Sequence, residues 1–218
     1  MTMQSSYIPA LKYNWLTKFY DFLIQRFLKE QTWKTFVIQS FSNKKPERIL
    51  DIGTGTATLA IMMKRSYPNA KIAGLDGDEN ILAIARSKIQ QQGINIELTH
   101  GMSYQLPFPD NYFDVVTSSL MIHHLMDADK INTFKEVLRV LKPGGEFCIA
   151  DWGKPKSSLS RLLFYWVQFL DGFKTTTSNV KGLLPGFLKE CGYDDVNELK
   201  KFGTIGGSIC IYKGKKIN

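Results

Sequence analysis

The chain reads as an α/β fold: a doubly wound, mostly parallel seven-stranded sheet closed by a C-terminal antiparallel hairpin, with an N-terminal helical extension and an apolar insert. Two patterns lead there. Strand-like and helix-like segments alternate between Arg48 and Asp151, which calls for right-handed βαβ units and a parallel sheet. The first of these strands runs into a glycine-containing turn at the start of a helix, and the second ends on a carboxylate, an arrangement suited to binding at the sheet's carboxyl edge.

Each element follows from its own residues. From Asn14 to Phe41 the apolar side chains Leu16, Phe19, Leu23 and Phe27, then Phe36 and Val37, recur at helical spacing, giving two helices or one broken one. Asn43-Lys44-Lys45-Pro46 ends that region. Residues 48–52 then predict a strand, 58–66 a helix, 71–76 a strand, 80–92 a helix and 94–99 a strand. After the turn Leu106-Pro107-Phe108-Pro109-Asp110, residues 113–117 form a buried strand, and Ile131, Phe134, Leu138 and Leu141 mark the inner face of the next helix. Lys142-Pro143-Gly144-Gly145 stops that helix, since a cation suits its C-terminus and glycine can take a positive φ. Residues 146–151 are a fifth strand. An apolar insert over 159–173 follows, then a helix over about 180–191 and two strands near 196–202 and 208–213, whose close spacing favours an antiparallel pair. Without a repeat, a low-complexity tract or a long polar linker, one domain is expected over 1–218: a helical cap (1–45), a core (46–152), a lid insert (153–178) and a C-terminal helix with its hairpin (179–218).

Composition narrows the function classes. The net charge of +8 is spread along the chain, so it favours solubility or anionic surfaces without naming a partner. Three cysteines without CxxC spacing argue against a disulfide framework or a zinc site and suggest a reducing compartment, so a cytoplasmic location is expected and no metal. Residues 1–10 lack the basic and apolar run of a secretory leader, and the most apolar segment, 162–170, is too short to span a bilayer and carries Gln168.

The chemistry concentrates in the turn Asp51-Ile52-Gly53-Thr54-Gly55-Thr56-Ala57. Small residues let backbone N–H groups approach a ligand, and Asp76, 25 residues beyond Asp51, stands where a carboxylate accepts ribose hydroxyls. Together these describe a nucleoside site. A dinucleotide fits less well, because the third glycine of G-x-G-x-x-G is Thr58 here and Asp51 would repel a pyrophosphate. A ligand carrying an ammonium and a sulfonium suits the site better.

These stretches, ILDIGTGTATLA, AGLDGDENILAIAR, LPFPDNYFDVVTSSLMIHHL and EVLRVLKPGGEFCIADW, in this order, resemble the class I S-adenosylmethionine-dependent methyltransferases, a Rossmann-like family, and especially its ubiquinone and menaquinone biosynthesis branch. The resemblance covers Pro46 to Trp152, with a weaker fit beyond. It implies S-adenosylmethionine as cofactor, with Asp51, Gly53, Thr54 and Gly55 around the methionine moiety, Asp76 and Gly77 at the ribose, and Ser118 and Ser119 beneath the methionine part. Family members often place an Asp where Met102 stands in Gly101-Met102-Ser103, so adenine recognition would fall to packing, backbone or Ser103. Tyr20-Asp21 looks like a pair that helps to close the cofactor pocket.

His123 and His124 lie just past the fourth strand, and either could take a proton from an acceptor, with His123 preferred. Methyl transfer itself needs mainly positioning and exclusion of water. Apolar segments at Leu16 to Leu28 and Leu159 to Leu170, beside Lys12, Lys18, Arg26, Lys29 and Arg161, suggest a greasy lid, a small lipophilic or aromatic acceptor and peripheral contact with an anionic membrane. The same aromatic stripe would serve equally as core. A soluble metabolite is the second acceptor class and RNA the third, since no base-modifying signature is present; a non-catalytic S-adenosylmethionine-binding protein is the alternative outside enzymes.

Overall fold

The computed structural model describes residues 30–41, 45–204 and 207–217. One sheet of seven strands organises them: β1 (Arg48–Ile52), β2 (Lys71–Asp76), β3 (Glu97–His100), β4 (Phe113–Ser119), β5 (Leu141–Trp152), β6 (Tyr193–Thr204) and β7 (Gly207–Lys216), in the spatial order β3-β2-β1-β4-β5-β7-β6. The first five run parallel, while β7 lies antiparallel between β5 and β6. Strand order reverses between β1 and β4, and the loops leaving their carboxyl ends diverge to opposite faces, opening a crevice there.

The central strands are buried on both faces: four of the five residues of β1 and five of the seven of β4 are shielded. One face is covered by α1 (Glu30–Ser40), α2 (Thr58–Ser66) and α3 (Glu79–Gln91), through Trp33, Val37, Leu59, Met63, Ala85 and Ile89. The other carries α4 (Asp127–Val140) and α7 (Leu184–Glu190), through Phe134, Val137, Leu184 and Leu188. Local chemistry sets the helix starts: the Asp78 carboxylate accepts the N–H groups of Asn80 and Ile81 at the head of α3, and Ser157 and Ser160 form a reciprocal capping box on α5 (Ser158–Asp171).

The expected α/β class, the parallel core and the C-terminal hairpin are all present. Several boundaries differ, for identifiable reasons. The helix expected over 180–191 is two, α6 (Phe173–Lys181) and α7, because Gly182 takes a left-handed φ of 73° and Pro185 cannot continue a helix from α6. Most of the 159–173 insert is the regular helix α5. In α4 the shielded positions are Lys130, Thr133, Phe134, Val137 and Val140, so Ile131 and Leu138 sit at the margin of the inner face. Both strands of the hairpin are longer than expected, β6 serving as a charged edge with Asp194, Lys200 and Lys201 that discourages pairing with another chain. Residues 1–29 lie outside the described residues, and with them Tyr20, the Leu16 to Leu28 segment and most of the cap.

Candidate functional site

The turn between β1 and α2 is built around a buried acid. Asp51, fully shielded, accepts the hydroxyl hydrogens of Thr54 (2.9 Å) and Thr117 (2.8 Å), so its two oxygens tie the turn to β4. Burial pushes its carboxyl up to about 6 against the help of those hydroxyls. Gly53 and Gly55 take φ of +65° and +56°, and Ala57 follows at +60°; this left-handed series closes the turn, with the Thr54 N–H donating to the Leu75 carbonyl (3.0 Å) and the Ala57 N–H to the Thr54 carbonyl (2.9 Å). Asp76, at the end of β2, accepts the Gly55 N–H through one oxygen (2.8 Å) and the Asp78 N–H through the other (3.0 Å). Burial raises its pKa as well. A carboxylate has about four acceptor positions, so capacity remains for a ligand's hydroxyl.

Gly53 and Gly55 differ in what stands over them. A Cβ on Gly53 would lie 2.3 Å from Cγ of Met121, whereas one on Gly55 would meet nothing within 4 Å among the described residues. Met121 reaches Gly53 because Leu120, at the end of β4, holds a φ of 51°, a strained conformation for a bulky residue that turns the chain sharply back over β1. Sequence reasoning found neither residue; an apolar side chain in a turn carries no signal until the turn is known. Beneath them, the Ser118 hydroxyl is buried without a hydrogen-bond partner, and Ser119 beside it is half-buried.

Past Leu120 a 3₁₀ turn, Ile122–His124, places the two histidines. His123 is buried, its Nδ1 2.7 Å from Oδ1 of Asp151 at the end of β5 and its Nε2 3.5 Å from Oδ2 of Asp171 at the end of α5. Burial disfavours the imidazolium, but the Asp151 carboxylate and then Asp171 outweigh it and hold His123 up at about 9. Exposed His124 lies with its ring centroid 4.0 Å from that of His123, and the charge on His123 pulls its pKa down to about 4. At neutral pH the pair therefore carries one positive charge, on His123. Asp151 and Asp171 were not singled out from sequence, because each becomes a partner of His123 only once β5 and α5 are placed.

The fold thus brings Asp51, Gly53, Thr54, Gly55, Asp76, Gly77, Ser118 and Ser119 together at the carboxyl ends of β1, β2 and β4, with His123 and His124 beside them. Met102 is half-buried, and the Ser103 hydroxyl is engaged by Thr133 of α4 at 2.9 Å. His100, not noted from sequence, sets Nε2 3.1 Å from the Gly77 carbonyl. The lid divides: Phe164 packs on Trp152 in the core, while Leu162, Tyr165 and Phe169 of the same helix are exposed. None of the described helices is long and apolar enough to cross a membrane.

Comparison with known proteins decides the family. Residues 49–145 match a family model described as a methyltransferase domain. The chain is 27% identical to the ubiquinone/menaquinone biosynthesis C-methyltransferase of Proteus mirabilis, over 95% of its own length and 87% of the relative's. It is 33% identical to the demethylmenaquinone methyltransferase of Thermus thermophilus over 66% of each chain. The chain belongs to the class I S-adenosylmethionine-dependent methyltransferases. Solved structures share this methyltransferase's fold at low identity: a Haemonchus contortus phosphoethanolamine N-methyltransferase in complex with S-adenosyl-L-methionine (TM-score 0.68, 19% identity, 86% of this chain and 53% of that one) and the [4+2]-cyclase SpnF (TM-score 0.68, 18% identity, 85% and 80%). That second likeness shows that the fold alone does not choose the reaction.

Proposed function

We propose that this methyltransferase transfers the methyl group of S-adenosylmethionine to a small lipophilic acceptor, a quinone-like ring being the class that its relatives' names suggest. The observation that carries the cofactor reading is the open space over Gly55 beside Asp76. That space opens beside the Asp76 carboxylate, on the side where a ribose is expected, and among the described residues Ser118 keeps an unpartnered hydroxyl at the same edge. Gly55, Asp76 and Gly77 would hold the ribose side and Gly53, Thr54 and Ser118 the amino-acid side, with Asp51 setting the turn's shape and supplying negative charge toward an ammonium. When bound, S-adenosylmethionine supplies an activated methyl on a sulfonium. The chain's own work is to align an acceptor nucleophile in line with that methyl and to keep water out. If the acceptor loses a proton, as a phenol or an enolisable ring carbon does, the group in place to receive it is the histidine pair, whose exposed member is His124.

The lid supports a lipophilic acceptor and contact with an anionic membrane surface. Leu162, Tyr165, Phe169 and Phe173 expose apolar area, and a neighbouring groove of about 670 Å³ is rimmed by Lys154, Lys156, Arg161 and Lys181. That groove shares no residue with the Gly55 turn, so it bears on where the protein docks rather than on the cofactor. The test is transfer from labelled S-adenosylmethionine into a cell extract, followed by partition between organic solvent and water. Label in the organic phase supports the lipophilic acceptor; label only in water moves the acceptor to soluble metabolites or RNA. No binding of S-adenosylhomocysteine by titration calorimetry would overturn the cofactor assignment itself.

A further inference from the structure

The histidine pair and the carboxylates around it form a ligand set that no sequence spacing announces. His123, His124 and Asp171 come from two separate elements, the 3₁₀ turn and the end of α5, and one donor atom from each lies within 4.8 Å of the other two. We propose that these three residues bind one divalent transition-metal ion of the zinc class, with Asp151 as the outer carboxylate that orients His123.

The geometry carries this in three steps. Asp151 accepts from Nδ1 of His123 at 2.7 Å and is itself fully buried, held in place by the backbone N–H of Trp152, so the ring's orientation is fixed and Nε2 is the atom it presents. A buried carboxylate bonded to the far nitrogen of a histidine is the arrangement that orients and strengthens metal-bound imidazoles. Nε2 then faces Oδ2 of Asp171 at 3.5 Å. Zinc bonded at about 2.0–2.2 Å to two tetrahedral ligands holds their atoms about 3.4 Å apart, so this pair is already spaced to share an ion. Finally, the ring of His124 is tilted 41° to that of His123 with centroids 4.0 Å apart and is exposed, and it brings a third donor within 4.8 Å of the other two, with a side open to solvent. On binding, the ion takes the place of the hydrogen between Nε2 and Asp171, and that proton leaves to solvent.

Two imidazoles and one carboxylate select a borderline ion such as Zn²⁺ or Co²⁺ over Mg²⁺ or Ca²⁺, which prefer oxygen donors throughout. The open fourth position would face the crevice in which an acceptor oxygen is expected, where a cation favours the anionic form of a phenol or enol. This consequence rests on the proposed methyl transfer; the metal site itself does not.

The full chain, freed of metal by dialysis against a chelator, is titrated with Zn²⁺ by calorimetry and with Co²⁺ by visible absorption, with Mg²⁺ as the control ion. One equivalent of Zn²⁺, cobalt ligand-field bands and no response to Mg²⁺ are expected. His124→Ala should weaken Zn²⁺ binding at least tenfold, Asp171→Asn similarly and Asp151→Asn by about 10- to 100-fold. His100→Ala and Cys191→Ser, at the remaining histidine and the one partly exposed cysteine, should leave it unchanged. His124 is exposed, so its alanine variant should fold; the rise in melting temperature on adding Zn²⁺, seen in the parent and absent in this variant, gives a second readout. No stoichiometric Zn²⁺ binding, or binding that survives His124→Ala, overturns the site. Titration of the same samples with S-adenosylhomocysteine separates the two proposals: cofactor bound without metal refutes only the site, and metal bound without cofactor refutes only the proposed function.

Discussion

Gly53 and Gly55 are indistinguishable as glycines of one motif, yet alanine at the two positions should fail in different ways. Both lie at positive φ, so each substitution carries the left-handed penalty of about 1–2 kcal/mol for a Cβ. Ala57, already at +60° in the same turn, shows that the backbone accommodates it. At Gly53 the new methyl also collides with Met121 Cβ and Cγ at 2.5 and 2.3 Å, which adds an overpacking cost of about 1–3 kcal/mol. Gly53→Ala should therefore cost about 2–5 kcal/mol, lowering the melting temperature by roughly 4–20 °C for a chain of this size, while Gly55→Ala should lower it by only about 2–8 °C. Affinity should rank the other way relative to stability. The Gly55 methyl stands in the open space assigned to the cofactor, and an overlap of about 1–3 kcal/mol weakens S-adenosylhomocysteine binding roughly 5- to 100-fold. Thermal melts followed by circular dichroism and calorimetric titration below each variant's transition measure the two quantities. A Gly55→Ala protein that binds S-adenosylhomocysteine as well as the parent would refute the cradle. A Gly53→Ala protein as stable as Gly55→Ala would refute the Met121 contact.

Four further outcomes are expected. Asp51, raised to about 6 by burial, should protonate as pH falls from 7 to 5, weakening a cofactor that carries an ammonium by about tenfold; Asp51→Asn should flatten that dependence, and a pH-independent Kd in the parent would contradict it. Because its folded pKa lies above the ordinary 3.8, the native state takes up this proton first, so Asp51 contributes a gain in folding stability as pH drops through the 6 to 3.8 window, opposite in sign to the binding effect; a urea titration across that window with the Asn variant as reference would detect it. Lys130, wholly buried, donates to the Thr175 carbonyl and the Ser178 hydroxyl at 2.5 Å each and ties α6 to α4; Lys130→Met should cost about 2–3 kcal/mol and speed proteolytic cleavage in α6, and unchanged proteolysis would sink this role. Burial raises the thiols of Cys148 and Cys210 to about 11, so a disulfide-exchange reagent at pH 7.5 should label at most Cys191 in the native protein and all three after unfolding.

The parts of this structure legible in the sequence are those fixed by local pattern. The β1 turn, the carboxylate ending β2 and the Lys-Pro-Gly-Gly stop after α4 are written in consecutive residues, so their positions followed from propensity and periodicity. The split of α6 from α7 was also written locally, in Gly182 and Pro185, but the apolar run around them resembles one helix. What the sequence hid was tertiary. Met121 over Gly53, Thr133 engaging Ser103 and the carboxylates flanking His123 all join residues far apart in the chain, and no spacing rule predicts which of several aspartates will meet a histidine. The lid shows the same limit in another form. Hydrophobicity marked the stripe over α5, but only packing reveals that Phe164 lies inside on Trp152 while Phe169 faces outward.

The placement of β7 between β5 and β6 has a consequence for the order in which the molecule can become competent. One margin of β5 pairs with β4, but the other waits for β7, which follows the other six strands in the sequence. Asp151 and Trp152 are registered against Cys210 and Ile209 of that strand, so the residue that anchors His123 is clamped on its second side only after β6 and β7 have been made. The ligand-binding turn after β1, by contrast, is enclosed by β2 and β4 and can assemble from the first half of the chain. During synthesis the turn after β1 can therefore be framed by its neighbouring strands before Asp151 and His123 are held in place.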